Sequence, residues 1–334
     1  MEIAAAWYRL GQRELGKKNP DAAVAAFRKA TVNDNSRQLY TESLSQALLL
    51  AGRSDEARQL LLQLRESAPD NPQVNLALAR LAAGKHDLPE TLRYYHNALY
   101  GIWTGDNVNE RQRDVRAELI NFLLHEQAHD QALAEILVLA YHLPNDVPSH
   151  LELGAMFTRV GDLPRSYPEF SWVLHREPHN QLALAGAGAA AFQMRRYREA
   201  ERLLEQVSSK TQPVQETLDL AKLVVSIDPL DMRAVYGQRS QRLLSDFDHA
   251  AANLNSCIAR NSAQNTENAA ALSAKMSGMK FSLTLDKLRR SPDLVFPALE
   301  LIYQVETESA RACGPLQPSD HALLLVGQKG RGEQ

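Results

Sequence analysis

The residues whose types and spacing most resemble a catalytic centre lie at positions 125–129, which have the sequence HEQAH. This satisfies the pattern H-E-x-x-H, in which two histidines on one face of a helix bind zinc and the glutamate acts as a base. That geometry requires an uninterrupted helix, whereas these five residues fall in a predicted turn between two helices. A zinc protease also needs a third protein ligand, and neither Glu135 nor Glu152 is placed to supply one. We therefore expect no metal site, no cofactor and no enzymatic activity.

Two further motifs have structural explanations. The sequence GAGAAA at 186–191 imitates a dinucleotide-binding turn, but no strand precedes it and it lies in a predicted helix, where glycine allows close packing. Cys257 and Cys313 have no assembled base and form neither a CxxC motif nor a Cys/His ligand cluster. Two cysteines are too few for a disulfide framework, and whether they pair is left open.

The composition is that of a folded protein without an affinity for nucleic acid. Of the 334 residues, 44% are hydrophobic and 23% are charged, which is enough apolar side chain for a packed core. The formal net charge is −3, so there is no excess of positive charge to neutralise a phosphate backbone. No apolar run reaches the roughly 18 residues that a transmembrane helix needs, so we expect no direct insertion into a membrane.

The start of the chain favours a cytoplasmic location, because residues 1–15 lack the basic stretch and the apolar core of a secretory signal. The repeat pattern described next begins within about four residues of Met1, which leaves no capping segment ahead of it. The alternative is therefore a periplasmic or membrane-tethered protein from which an N-terminal signal or anchor has been removed.

An internal repeat decides the architecture. Its first copy contains six spaced residues: Trp7, Leu10, Gly11, Ala23, Phe27 and Ala30. These spacings match W-x2-L-G followed by A-x3-F-x2-A, so the chain resembles the tetratricopeptide repeat (TPR) family. The resemblance implies an all-α fold, a right-handed α-solenoid of helical hairpins, and a role in binding other proteins.

Later copies preserve the register of the first. Small residues recur at intervals of 34, 34, 41, 34 and 34 residues: Ala23, Ala57, Thr91, Ala132, Ser166 and Ala200. Four residues after each comes a large side chain on the same helix face: Phe27, Leu61, Tyr95, Ile136, Phe170 and Leu204. We expect these pairs in the core. The one long interval contains a polar insertion at 106–112, for which we predict a loop between repeats.

The pattern predicts six repeats over residues 4–214, with the bounds 4–37, 38–71, 72–105, 113–146, 147–180 and 181–214. Beyond them the period weakens. Residues 215–265 are predicted to form degenerate TPR-like helices, residues 266–326 to form helices that cap the array at its C-terminal end, and residues 327–334 to form a flexible tail, because that tail is polar and rich in glycine.

In the TPR family the first helices of successive repeats line the concave face, so the resemblance implies a peptide-binding groove there. Carried onto this sequence, the groove is predicted to contain nine residues: Tyr8, Gln12, Glu42, Gln46, Leu76, Arg80, Asn121, Leu151 and Phe192. The face is polar in the early repeats and turns apolar toward the sixth. The alternative is that the C-terminal amphipathic helices fill part of the groove themselves.

The sequence therefore predicts a non-catalytic scaffold or adaptor that binds a peptide or protein segment. The family's carboxylate clamp, which recognises acidic C-termini through lysine, asparagine and arginine, is absent, because Tyr8, Gln12 and Leu76 occupy clamp positions next to Arg80. The alternative function is a regulatory or substrate-binding domain of an enzyme or membrane-anchored assembly whose other part is missing from this chain.

Overall fold

The structure is a computed structural model that describes residues 2–260 and 267–332. Within these residues the chain forms eighteen α-helices and no β-strand, so the predicted all-α class is confirmed. The helices form two compact units, unit 1 up to Asn145 and unit 2 from Asp146. The division falls where the fourth predicted repeat ends. Among the described residues, no helix combines the length and the apolar character that crossing a bilayer requires.

Unit 1 is a series of four helical hairpins, in which each helix packs chiefly against the helices that precede and follow it in the chain. Its eight helices are α1 (Glu2–Gly16), α2 (Pro20–Asn33), α3 (Gln38–Leu50), α4 (Ser54–Ser67), α5 (Pro72–Ala83), α6 (Leu88–Leu99), α7 (Val108–His125) and α8 (His129–His142). The odd-numbered helices are the first helices of the four repeats.

Capping residues fix where these helices begin. The side chain of Asn71 accepts hydrogen bonds from the backbone N–H groups of Gln73 and Val74, at 3.0 and 3.2 Å, and Pro72 occupies the first helical position of α5. Asn19 and Asp87 cap α2 and α6 in the same way. Side-chain oxygens thereby satisfy N–H groups that have no partner within the helix, while proline gives up no hydrogen bond there.

The predicted core pairs are confirmed. All six small residues of the series beginning at Ala23 are fully buried, and all six large residues of the series beginning at Phe27 are at most 4% exposed. Gly11 shows why the fit needs a small partner: a Cβ atom there would lie 2.5 Å from Cε1 of Phe27. Helices α1 and α2 therefore approach closely enough for the Phe27 ring to pack on the backbone of α1.

The insertion at 106–112 is not a loop as predicted, since α7 already begins at Val108 and is 18 residues long. Polar side chains of this segment have partners in the preceding repeat. Gln112 donates a hydrogen bond from Nε2 to the carbonyl oxygen of Leu99 at 2.9 Å, and the guanidinium of Arg111 lies 5.1 Å from the centre of the Trp103 ring. These contacts let the extra residues lengthen the helix.

Unit 2 begins with two more hairpins, α9 (Val147–Arg159) with α10 (Leu163–Arg176) and α11 (Gln181–Gln193) with α12 (Tyr197–Glu205). The glycines of the sequence GAGAAA lie in α11, where a Cβ at Gly186 would come within 2.4 Å of the Phe170 ring and one at Gly188 within 2.4 Å of Leu204. Close helix packing therefore explains these glycines, as predicted.

The rest of unit 2 is organised by packing between helices distant in the chain. It contains α13 (Gln212–Ile227), α14 (Tyr236–Arg260), α15 (Glu267–Lys280), α16 (Leu285–Arg290), a 3-10 turn (Pro292–Leu294), α17 (Val295–Cys313) and α18 (Pro318–Gly332). Helix α14 is 25 residues long and packs chiefly against α17, while α13 packs against α12 and α18.

Residues 215–265 were predicted to form degenerate TPR-like helices, and their packing differs from that of a TPR hairpin. Helices α13 and α14 have few contacts with each other, because α17 and α18 cover the faces that a repeat partner would cover. Residues 261–265 of that prediction lie outside the described residues.

The predicted flexible tail is wrong for residues 327–332, which continue α18. The two glycines in this stretch permit close contact with α17: a Cβ at Gly327 would lie 2.9 Å from Cβ of Tyr303, and one at Gly330 would lie 2.9 Å from Cδ1 of Leu299. Glycine here serves helix packing. Residues 333 and 334 lie outside the described residues.

Two glycines of α1 provide a matched test of the core fit. Gly11→Ala places a methyl group against the Phe27 ring, whereas nothing lies within 4 Å of a Cβ added at Gly16. We expect Gly11→Ala to lower the free energy of unfolding by about 1–3 kcal/mol. Gly16→Ala should leave it unchanged or raise it slightly, since alanine favours the helix. Urea denaturation followed by circular dichroism measures both, and equal stability of the two variants would contradict the close approach.

Candidate partner-binding face

Seven of the nine predicted groove residues lie on the first helices of unit 1, and the other two lie on first helices of unit 2. On α1, α3, α5 and α7, the ninth position of each repeat is exposed and polar. We call these four residues the polar row: Gln12, Gln46, Arg80 and Asn121. Their spacing of 34, 34 and 41 residues is that of the buried core series, so the same register that fixes the core places them in line.

The residues one helical turn earlier, at the fifth position of each repeat, are half-buried and have structural partners. The Tyr8 ring packs against the rings of Phe27 and Tyr40, at centroid distances of 5.7 and 5.1 Å. Glu42 accepts a hydrogen bond at Oε1 from Nδ2 of Asn71 at 2.9 Å. Leu76 is half-buried as well. These side chains therefore support the face more than they present chemistry to a partner.

Two members of the polar row differ in how firmly they are held. Gln12 donates a hydrogen bond from Nε2 to the hydroxyl of Tyr8 at 2.8 Å, which orients its amide and leaves its carbonyl oxygen available. Gln46 is exposed and makes no side-chain hydrogen bond in the part of the chain that the structure describes. Its donor and acceptor atoms are both open to a ligand.

Arg80 is fixed by a carboxylate of the next repeat. Its Nε and Nη2 atoms donate to Oε1 and Oε2 of Glu118, both at 2.8 Å, and the hydroxyl of Tyr95 also donates to Oε1 at 2.8 Å. Such a two-pronged contact is stronger and more directional than a single ion pair. It ties α5 and α6 to α7, and so joins the third repeat to the fourth.

The electrostatics of this cluster keep Glu118 ionised. Burial alone would raise the pKa of Glu118, but the hydrogen bonds from Arg80 and Tyr95 outweigh that effect and hold the pKa below its ordinary value. Burial, together with the hydrogen bond to Glu118, raises the pKa of Tyr95. The charge of Arg80 is therefore compensated within the protein at neutral pH.

Leu151 and Phe192, predicted as apolar anchors for a partner, are part of the packing of unit 2. Leu151 is half-buried against the core cluster around Phe170. Phe192 packs against the apolar cluster to which α14, α17 and α18 contribute, and its ring meets Tyr197 edge-on at 5.3 Å. Phe192 also packs against the cluster of Ala191, Ala200 and Ala221, so α12 and α13 cover part of the predicted apolar surface.

A cleft of about 1090 Å³ in unit 2 was not anticipated from the sequence. It lies beside α12, the segment 228–236 and Lys329. Its charges largely neutralise one another: Arg198 donates to Asp231, and Lys329 donates to Asp228 at 2.7 Å. Because these groups already have partners, the cleft is a weaker candidate for ligand recognition than the polar row.

Sequence reasoning missed Glu118 and Tyr95, which orient Arg80. A signal for them existed: the arginine of the third repeat faces an acidic residue near the same height of the fourth. The sequence alone does not reveal this contact, because it does not say which residues of neighbouring helices lie next to each other. The predicted turn at HEQAH is confirmed, because α7 ends at His125, α8 begins at His129, and Gln127 between them has a φ of 57°.

Comparison with known proteins agrees with the hairpins described above. The sequence profile of the tetratricopeptide repeat family matches residues 14–81, which extend from α1 into α5. Residues 14–81 therefore match the tetratricopeptide repeat family. TPR proteins are in general scaffolds for protein–protein interaction, and this chain has that architecture. A search of curated protein sequences finds no significant match.

Solved TPR structures resemble this chain at low identity. YrrB, described as a TPR protein with an unusual peptide-binding site, is 17% identical over 59% of this chain and 97% of its own, with a TM-score of 0.45. A TPR protein from Parabacteroides merdae is 13% identical over 83% of this chain and 100% of its own, with a TM-score of 0.45. The C-terminal part of a TPR protein from Cytophaga hutchinsonii is 10% identical over 93% and 99%, with a TM-score of 0.47. All three TM-scores are low, so the family assignment rests on the profile match and on the helical hairpins.

Proposed function

We propose that this protein is a non-catalytic scaffold that binds a peptide or protein segment along the polar row of unit 1. The observation that carries the proposal is the recurrence of an exposed polar side chain at one register position of four successive first helices. In unit 1 each helix packs chiefly on its neighbours in the chain, which leaves that edge of the first helices uncovered within the unit.

The spacing of the row suits an extended ligand. Helices that pack against each other lie roughly 8–10 Å apart, and an extended chain advances about 3.3 Å per residue. Neighbouring members of the polar row are therefore at least about three ligand residues apart. A segment that reaches all four members is therefore at least roughly ten residues long.

The chemistry of the row suits a ligand that is recognised through its backbone. Amides such as those of Gln12 and Gln46 both donate and accept hydrogen bonds, as peptide groups do. Arg80 is engaged by Glu118, so it offers little net charge to an acidic ligand. This supports a neutral segment over an acidic C-terminus, and the net charge of −3 supports a protein partner over nucleic acid.

A peptide selected from a library for binding to this protein tests the proposal. Two glutamines on the proposed face are substituted in the test variant, and two glutamines outside it are substituted in the control variant. We expect the double variant Gln12→Arg, Gln46→Arg to weaken binding of the selected peptide at least tenfold, because it adds bulk and charge where the peptide lies. The matched double variant Gln59→Arg, Gln63→Arg changes two exposed glutamines of the second helix α4 and should bind as the unmodified protein does. Fluorescence anisotropy measures the affinities.

Two results would contradict the proposed face. One is equal affinity of the peptide for the unmodified protein and for the Gln12, Gln46 variant. The other is a loss caused only by the variant of Gln59 and Gln63. Circular dichroism of both variants checks that the helices are retained.

We also propose that the protein works in an oxidising compartment, which favours the periplasmic alternative over the cytoplasm. The support is a disulfide between Cys257, near the end of α14, and Cys313, at the end of α17, whose Cα atoms lie 5.9 Å apart. Disulfides persist in oxidising environments and are rare in the cytosol. The bond joins the two longest helices of unit 2 across 56 positions of sequence.

Thiol trapping tests the compartment. When cells of the native host are quenched in acid and alkylated, we expect neither cysteine to be labelled before reduction and both to be labelled after it. A Cys313→Ser variant, in which Cys257 has no partner, provides the positive control for labelling. Recovery of both cysteines alkylated without reduction would contradict the oxidising compartment.

A further inference from the structure

The turns that join the two helices of the third and fourth repeats bring three potential metal ligands together. His86 lies in the turn between α5 and α6, while His125 and Glu126 lie at the turn between α7 and α8. Oε1 of Glu126 is 2.6 Å from Nδ1 of His86 and 3.0 Å from Nδ1 of His125. The two imidazole rings face each other with centroids 5.7 Å apart and an angle of 30° between their planes.

The repeat itself places these residues side by side. In both turns a residue in the left-handed region, His86 at φ 56° and Gln127 at φ 57°, precedes a backbone hydrogen bond that closes the turn. Asp87 donates its N–H to the carbonyl oxygen of Ala82 at 3.2 Å, and Ala128 donates in the same way to Leu123 at 2.9 Å. Because the two turns have one geometry and belong to adjacent repeats, side chains from one reach those from the other.

This cluster differs from the other contacts between histidine and carboxylate in the described residues. His96 with Glu135, His150 with Glu169 and His249 with Asp320 each bring one imidazole to a carboxylate that is buried or half-buried. At Glu126 two imidazoles converge on one oxygen atom, and both rings are more than 60% exposed. There is therefore room for an ion and its waters in front of the three ligand atoms.

We propose that His86, His125 and Glu126 form a binding site for a divalent first-row transition-metal ion of the Zn²⁺ class, which links the turns of the third and fourth repeats. Two imidazole nitrogens and one carboxylate oxygen are a ligand set that zinc, nickel and copper accept. The carboxylate also supplies a negative charge next to the ion. Water or a group from a partner completes the coordination.

The present geometry needs only a small adjustment. Bonds from zinc to nitrogen and oxygen are about 2.0–2.2 Å long, so ligand atoms in a tetrahedron are about 3.4 Å apart. All three ligand atoms already lie within 4.8 Å of one another. Rotation of exposed side chains can open the shorter distances by under about 1 Å and close the longest by up to about 1.4 Å, without moving the helices. Lys85, which precedes His86 in the sequence, donates a hydrogen bond from Nζ to Oδ1 of Asp55 at 3.3 Å. Its positive charge is therefore paired with Asp55 and not with Glu126.

The proposed site is not the zinc-protease site that the letters HEQAH suggest. In that motif Glu126 would be a base and His129 the second ligand on the same helix. Here Glu126 is itself a ligand, and the second histidine comes from the preceding repeat. This proposal differs from the expectation of no metal drawn from the sequence. That expectation rested on the motif and on Glu135 and Glu152, and it did not include His86.

Isothermal titration of the untagged chain with ZnCl₂ tests the site, with ZnCl₂ as the only ligand added. We expect one ion per chain and at least tenfold weaker binding in His86→Ala and in Glu126→Gln. His129→Ala is the matched control, since it removes the other histidine of the motif, and it should bind as the unmodified protein does. Zinc should also raise the melting temperature of the unmodified protein more than that of His86→Ala, because the ion joins two repeats.

Each contrary result overturns the proposal. Zinc binding that is unchanged by His86→Ala or by Glu126→Gln would show that other surface histidines hold the ion. Loss of binding in His129→Ala would indicate a site within the motif. Absence of saturable binding would show that the three residues form a hydrogen-bonded cluster only. Melting temperatures measured without zinc separate loss of the site from loss of the fold.

Discussion

The structure depends on one steric fit, that of a large side chain against the small residues of an adjacent helix. A pair of short helices cannot bury its own apolar face, so each repeat relies on its neighbours. The fit requires that the helices approach closely, and Gly11 against Phe27 shows how closely: a single added methyl group would overlap the ring. The same contact recurs at Gly154 against Phe170 and at Gly188 against Leu204. Because equivalent positions are buried in every repeat, the core also fixes the rotation of each helix about its axis.

That fixed rotation is what gives the surface of unit 1 its regularity. Surface positions at a constant offset from the buried series have the same orientation in each repeat. The core therefore determines where the polar row and the two aligned turns lie. Side-chain hydrogen bonds between the third and fourth repeats join residues at similar levels of their helices. Arg80 contacts Glu118 along the first helices, and His86 contacts Glu126 at the turns. A change in the core that rotated one helix would therefore displace members of the polar row without replacing any of them.

Periodicity predicted the repeats and the core because both are set by local spacing. The burial of Ala23 and Phe27, and of their equivalents, followed directly from intervals of 34 residues. What the spacing could not predict was packing between helices distant in the chain. Phe192 was predicted to line an open groove, but it packs against α12 and α13. The glycines of α18 were predicted to lie in a flexible tail, but they fit against α17. The cluster of His86, His125 and Glu126 was missed for the same reason, since His86 is 40 residues from Glu126 in the sequence.

If the register of the core builds a binding face from the first helices of unit 1, a bound peptide should shield those helices. Amide hydrogen exchange, measured with and without a peptide selected on this protein, reports which helices a ligand covers. We expect added protection in α1, α3, α5 and α7, and little change in the second helices between them. Protection confined to α2, α4, α6 and α8, or to unit 2 alone, would contradict a binding face on the first helices.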